Sequence, residues 1–371
     1  MKKLIIIAAA VAALVSCSKS EVFKAESSAI SFAPNALSTK ALILPDSDSP
    51  EQLAFPETEA FNVFAFADLD GAGNVYEYNY ASPLMDDVEI SHQGGDWKAT
   101  TGTYLWPATG NVDFYAYYPG TITATFDSAN EPKGLSLTGI SLGTTVGSQI
   151  DPLVAATIAQ VAANKPTVSL IFKHITSQIA VTAFDATTTV SLRDKISIEK
   201  VVFKNMKTSG DYREGSTVGK GAWSNINTNT DFTSFSGSEV LSTTESYLSA
   251  GAFSASIDNS ASIDNSAAFV VVPDNIVTGS ATDQAIEVSY SIAAYTINGF
   301  DYPATPTQTV AIPLYGKVSA NKFQNGKRYV FHIGISMDGA NNEIMFAPKV
   351  EGWETEDIDG ITIDAVNAAL L

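Results

Sequence analysis

The sequence predicts an all-β chain arranged as two tandem β-sandwich domains. Three observations carry this. The chain has 371 residues, and at roughly 150 residues per domain that is enough for two. Hydrophobic residues make up 45% and charged residues only 16%, so each domain can bury a core. Apolar and polar residues alternate in short runs after residue 28, and turn residues punctuate the runs, supported by Gly 25, Pro 15 and abundant Ser and Thr.

The N-terminus reads as an address. Met1-Lys2-Lys3 is a positive start, and Leu4 to Val15 is an apolar run of signal-peptide length. Leu14-Val15-Ser16-Cys17 matches a bacterial lipobox, which makes Cys17, the only cysteine, the acylated first residue of the mature chain. Residues 1–16 are then the signal peptide and 17–27 a small, polar lipidated tether. Cleavage removes Lys2 and Lys3 and leaves 19 basic and 40 acidic residues, net −21. Anionic lipid headgroups cannot hold so acidic a chain, so acyl chains would anchor it to the outer membrane, at about 0.8 kcal/mol per buried CH₂.

Strands are expected in order from there. Ile30 and Phe32 alternate with serines, and Phe61, Val63, Ala65 and Ala67 share one strand face. Val112, Phe114, Ala116 and Tyr118 oppose Asp113, Tyr115 and Tyr117. Further runs lie at 168–172, 179–184, 196–203, 269–272, 286–292, 310–314, 329–335 and 343–346, with turns such as Asp70-Gly71, Gly94-Gly95 and Asn298-Gly299. Only Asp151–Asn164, Ala-rich behind Asp151-Pro152, has the look of a helix. Asn164-Lys165-Pro166 marks the boundary between an N-terminal domain, 28–165, and a C-terminal domain, 166–371. Residues 225–238, rich in Thr, Ser and Asn, and the tandem hexamer Ser-Ala-Ser-Ile-Asp-Asn at 254–265 read as surface excursions.

Composition excludes several functions. A net charge of −19 repels a phosphate backbone, so no nucleic-acid partner is expected. One cysteine and three scattered histidines (His92, His174, His332) supply neither a disulfide framework nor a metal cluster, and no cofactor is called for. Asp68-Leu69-Asp70-Gly71-Ala72-Gly73-Asn74 has calcium-loop character but lacks the distal bidentate Glu, so a hairpin turn is the better reading. His174 sits in a strand pattern as a hydrogen-bonded structural residue. Trp97, Trp106 and the tyrosines of 112–118 could form a glycan platform, but fit core packing better. His-Glu-x-x-His does not occur, and no enzyme is expected.

Read in order, several segments resemble a known family. Asp96-Trp97, Thr103-Tyr104-Leu105-Trp106-Pro107 and the run Val112 to Pro119 resemble the first half of a Bacteroidetes fimbrillin-like lipoprotein. Asp151-Pro152-Leu153-Val154-Ala155 through Leu170–Ile179 resembles its middle. Gly326–Ile333, Ile344-Met345-Phe346 and Val350-Glu351-Gly352-Trp353 resemble its end. The resemblance implies tandem transthyretin-like Greek-key sandwiches and a type V pilus subunit, structural or adhesive. Such a subunit is exported as a lipoprotein, trimmed after a basic residue and polymerised by strand donation. It also implies other pilus subunits as partners, with host glycan or protein as possible adhesion targets, and a place on the cell surface or fimbrium. Carried onto this chain, trimming falls between Lys40 and Ala41 and displaces the strand of Ile30 and Phe32. The donor-strand candidate is the tail, where Ile361, Ile363 and Ala365 alternate with Thr362 and Asp364. The alternatives are a surface lipoprotein that binds glycan or host protein without polymerising, and a periplasm-facing scaffold lipoprotein.

Overall fold

The computed structural model of the chain describes residues 28–36, 55–68, 79–145, 149–249, 252–256, 268–276, 283–338 and 344–352. The first nine strands are β1 (Phe32–Ala36), β2 (Ala60–Ala67), β3 (Met85–Gln93), β4 (Asp96–Ala99), β5 (Asn111–Tyr118), β6 (Thr123–Asp127), β7 (Gly134–Ser141), β8 (Leu153–Val161) and β9 (Val168–His174). Seven of them close a barrel in the order β1-β4-β3-β2-β5-β8-β9. Neighbours run antiparallel except β1 and β9, which are parallel.

The next strands are β10 (Ser177–Asp185), β11 (Ile196–Arg213), β12 (Ala222–Val240), β13 (Ser246–Ser249), β14 (Ala252–Ser256) and β15 (Ala268–Val271). After them come β16 (Ala285–Ile292), β17 (Tyr295–Ile297), β18 (Phe300–Tyr302), β19 (Thr305–Pro313), β20 (Lys327–Ile335) and β21 (Ile344–Gly352). One sheet runs β14-β13-β10-β20-β21, with β15 also on β10. The other runs β19-β16-β11-β7-β6, with β12 also on β11. The two pack as a sandwich around one core, to which Val181, Phe269 and Phe331 come from the first sheet and Ile198, Phe203 and Val288 from the second.

Burial follows the alternation. On β2, Phe61, Val63, Ala65 and Ala67 line the barrel interior, while Phe64 and Phe66 point outward into a further core. On β5, Val112, Phe114, Ala116 and Tyr118 line the barrel, and Tyr115 and Tyr117 turn to the outer core. That outer core lies between the barrel wall and the β6–β7 hairpin: the Phe66 and Phe126 rings stand 4.3 Å apart, and Leu135, Leu137, Tyr212 and Val270 join them. Both β2 and β5 are thus buried on two faces, which is why both read as nearly continuous apolar and aromatic runs.

Three expectations are corrected. Residues 151–164 are not a helix: Leu153–Val161 is strand β8, antiparallel to β5, ending in a 3₁₀ turn at Ala162–Asn164. Leu153 and Ala155 face the barrel while Val154 faces the outer core, and this two-sided burial overrides the helical preference of alanine. Residues 225–238 are not a surface excursion but the body of β12, whose Phe232 and Phe235 are buried in the sandwich. The intervening Thr, Ser and Asn residues are tolerated because β12 pairs only with β11, through four register shifts. Finally, strand pairing does not divide at residue 165. Strand β9, beyond it, completes the barrel, and β7, before it, pairs with the far end of β11. That pairing follows the strands that bury their apolar faces together, across the half-buried Lys165-Pro166 segment.

Candidate functional site: the strand that closes the barrel

Of the residues singled out in the sequence, Ile30 and Phe32 are described by the structure. Cys17, Lys40, Ala41, Ile361, Ile363 and Ala365 lie outside the described residues, as does most of the Asp68–Asn74 segment.

Ile30 and Phe32 belong to a segment with neighbours on both sides, not to a sheet edge, and Phe32 opens strand β1. Phe32 pairs with Trp97 of β4 on one side, and β1 runs parallel to β9 on the other, with Phe32 opposite Val168, Pro34 opposite Leu170 and Ala36 opposite Phe172. Ahead of the strand, Ile30 N–H donates to the Tyr104 carbonyl at 2.9 Å, and Trp106 N–H donates to the Ser28 carbonyl at 3.2 Å. Val168 N–H donates to the Ser31 carbonyl at 2.9 Å. These bonds knit the segment into the barrel from residue 28 onward.

Its side chains fill the barrel at every second position. Ile30 and Phe32 are each 4% exposed, and Pro34 is buried, whereas Ala33 faces solvent. Phe32 meets Phe61 and Phe114 edge-to-face, with ring centroids 6.1 and 5.7 Å away. Beneath it lies an aromatic cluster that sequence reasoning missed, centred on Phe55. That ring sits 5.4 Å from Phe61, 5.5 Å from Trp97, 5.4 Å from Tyr118 and 5.1 Å from Phe172. Phe55 N–H also reaches the Pro34 carbonyl at 3.4 Å. A lone Phe before Pro56 carries no periodic signal, so nothing in the sequence marked it. Trp97 and Trp106 pack on this core, as expected of core residues.

The rim is polar and acidic. The Tyr118 hydroxyl donates to Glu59 Oε2 at 3.0 Å, and burial, followed by Glu59, holds it well above the usual tyrosine range. Below the barrel, His174 Nδ1 is 2.7 Å from Asp151 Oδ2, and Thr176 Oγ1 donates to Asp151 Oδ1 at 2.8 Å. His174 is buried and held, in the structural role its strand position indicated. On the first sheet of the sandwich, Thr182, Glu245 and His332 cluster, with both Thr182 and Glu245 on the same ring nitrogen, Nδ1. That arrangement fixes a ring but relays no proton to a nucleophile. Among the described residues no group of three or more His, Cys, Asp or Glu is placed to hold a metal ion. Nor is any helix among them long and apolar enough to cross a membrane. Chemically, the site offers a strand-shaped slot, apolar at alternate positions and lined by backbone partners.

A family model described as fimbrillin-like matches residues 53–353 of the chain. Among solved structures, a fimbrial protein from Bacteroides vulgatus is 18% identical, superposes with a TM-score of 0.51 and covers 87% of this chain and 99% of its own. The tip fimbrial protein Mfa3 of Porphyromonas gingivalis, C-terminally truncated, is 8% identical with a TM-score of 0.39, covering 87% of this chain and 99% of that one. A fimbrial assembly protein from Parabacteroides distasonis is 10% identical with a TM-score of 0.38, covering 88% and 99%. No curated protein matches.

Proposed function

Since the chain belongs to the fimbrillin-like family, and so is a structural, non-enzymatic pilus or adhesin subunit that associates with other subunits at the cell surface, we propose the route by which it gets there and assembles. It is exported as an outer-membrane lipoprotein acylated on Cys17. Cleavage between Lys40 and Ala41 then frees the segment bearing Ile30 and Phe32, and the emptied slot receives the tail of a neighbouring subunit.

One observation carries this reading. Buried positions on the closing segment recur at Ile30, Phe32 and Pro34, a spacing of two, along the Val168–Phe172 rail of β9. The tail repeats that spacing with Ile361, Ile363 and Ala365. A strand with this pattern can refill the slot, restore backbone pairing and bury apolar side chains at about 1.5–3 kcal/mol for each large one. An unfilled slot would leave bare backbone and the Phe55 cluster open to water.

The test is treatment of the purified full chain with a trypsin-like protease while oligomer size is followed. Cleavage after Lys40 with polymers that disappear when residues 360–371 are deleted is the expected result. Cleaved protein that stays monomeric would instead fit a solitary surface lipoprotein that binds glycan or host protein. Separately, Cys17→Ser should abolish fatty-acid labelling and membrane association; equal labelling of the variant would remove the lipoprotein step.

A further inference from the structure

Only Ile175 and Thr176 join β9, which ends the barrel, to β10, which begins the sandwich. The turn between β11 and β12, residues 214–221, packs onto this crossing. Trp223, just after it, donates its indole N–H to the Ile175 carbonyl at 2.9 Å. Gly219 lies so close that a Cβ there would come within 2.7 Å of Lys173 Cβ and 3.7 Å of the His174 carbonyl.

At the centre of the turn Glu214 is buried. Its Oε1 accepts the Gly219 amide at 2.8 Å, and its Oε2 accepts the Tyr212 hydroxyl at 3.1 Å. The Tyr212 oxygen accepts the Gly221 amide at 2.8 Å, and the Gly221 carbonyl accepts Asn325 Nδ2 at 2.9 Å. Next along, Gly326 N–H donates to the Thr176 carbonyl at 2.8 Å. Glu214 N–H itself donates to the Leu135 carbonyl of β7 at 2.8 Å, and Gly134 leaves the space its side chain occupies. One residue therefore ties together β7, through its backbone N–H, and, through its carboxyl, the β11–β12 turn and, by way of Tyr212 and Gly221, the loop before β20.

The charged groups on the elements around it are engaged elsewhere. Arg213 points away to Asp127 at 2.9 Å, and Lys133 pairs with Glu131 at 3.8 Å. His174 on β9 is held by Asp151. Burial and hydrogen bonds act on the Glu214 carboxyl, and no charged side chain does. Dipoles surround the carboxyl, without an opposite charge to offset ionisation.

We propose that Glu214 is a pH-sensitive staple at the crossing from barrel to sandwich: neutral, it seals the joint; ionised, it loosens it. Burial pushes the Glu214 carboxyl up to about 7, against the hydrogen bonds from Tyr212, Gly219 and Gly215, which lower it. A folded value above the ordinary 4.5 means that the neutral staple contributes fully below about 4.5. Its contribution is lost as pH rises to about 7, and the loss stays constant above that. The staple operates within a single subunit, whatever that subunit assembles into.

Glu214→Gln removes the ionisable group and keeps an oxygen that can accept from Gly219, while its NH₂ replaces the oxygen that accepts the Tyr212 hydroxyl, so the variant is a reference whose stability carries no Glu214 titration. The ratio of the wild-type unfolding constant to the variant's, measured by denaturant titration of the full chains, should rise by on the order of a hundredfold from pH 5 to pH 8.5. A ratio that does not change with pH overturns the proposal. Should Glu214→Gln fail to fold, the Gly219 amide resonance of the wild-type protein decides: a titration midpoint near 7 supports the staple, and one near 4.5 overturns it.

Discussion

Phe32 and Val168 stand opposite each other on the parallel pair β1–β9, one from the start of the described chain and one from beyond the Lys165-Pro166 turn. Their pairing closes the barrel and makes its first and last strands interdependent. Whatever removes one strand strips the other of backbone partners.

Truncating Phe32 tests this dependence. Phe32→Ala removes a ring that touches both Phe61 and Phe114 in a closed core, and should cost about 3–5 kcal/mol in denaturant unfolding. Ala33→Ser, on the solvent side of the same strand, should stay within about 0.5 kcal/mol. Equal effects would mean that the strand is not seated as described.

Fragment boundaries should follow the strand pairing. A fragment of residues 28–165 lacks Val168, Leu170 and Phe172, which line the barrel beside β1. It should fail to give a cooperative thermal transition, whereas 28–176 should come closer to doing so. Equally cooperative melting of both would show that β9 is dispensable to the barrel.

Asp151 should matter as a double acceptor. It receives Thr176 Oγ1 and faces His174 Nδ1, so Asp151→Ala removes a hydrogen bond from each of two buried residues and should cost about 1–3 kcal/mol. Asp151→Asn retains one acceptor oxygen and should cost less. Chemical denaturation at neutral pH distinguishes the two; identical losses would show that the carboxylate's hydrogen bonds contribute little.

Acid should act partly through Asp127. Hydrogen bonds from Asn130 and then Arg213 lower its carboxyl to about 2, below the ordinary 3.8. A depressed folded value means that its contribution is present above the ordinary value and is lost as pH falls toward 2. Asp127→Asn should therefore flatten the decline in melting temperature between pH 4 and 2 relative to the wild type. Parallel declines would remove Asp127 from acid sensitivity; its pair with Arg213 is only partly buried, so added salt should also shrink the difference.

The sequence by itself determined the strand content and the inward faces. Phe61, Val63, Ala65 and Ala67, and Val112, Phe114, Ala116 and Tyr118, line the barrel as their period of two requires. Alternation is a local property, and a strand whose neighbours all bury the same face must obey it. The buried pattern of Ile30 and Phe32, the clearest local signal of the candidate slot, was legible for that reason. Only the tertiary structure decided what those strands pair with. It placed β9 across the Lys165-Pro166 turn into the barrel, joined β7 to β11, turned the Ala-rich 151–164 segment into β8 and drew Phe55 under β1. Each of these rests on contacts between residues far apart in the chain. Their free energy comes from burial and pairing on a partner that no local window contains, and that long-range term outweighed the turn, helix and loop preferences written locally.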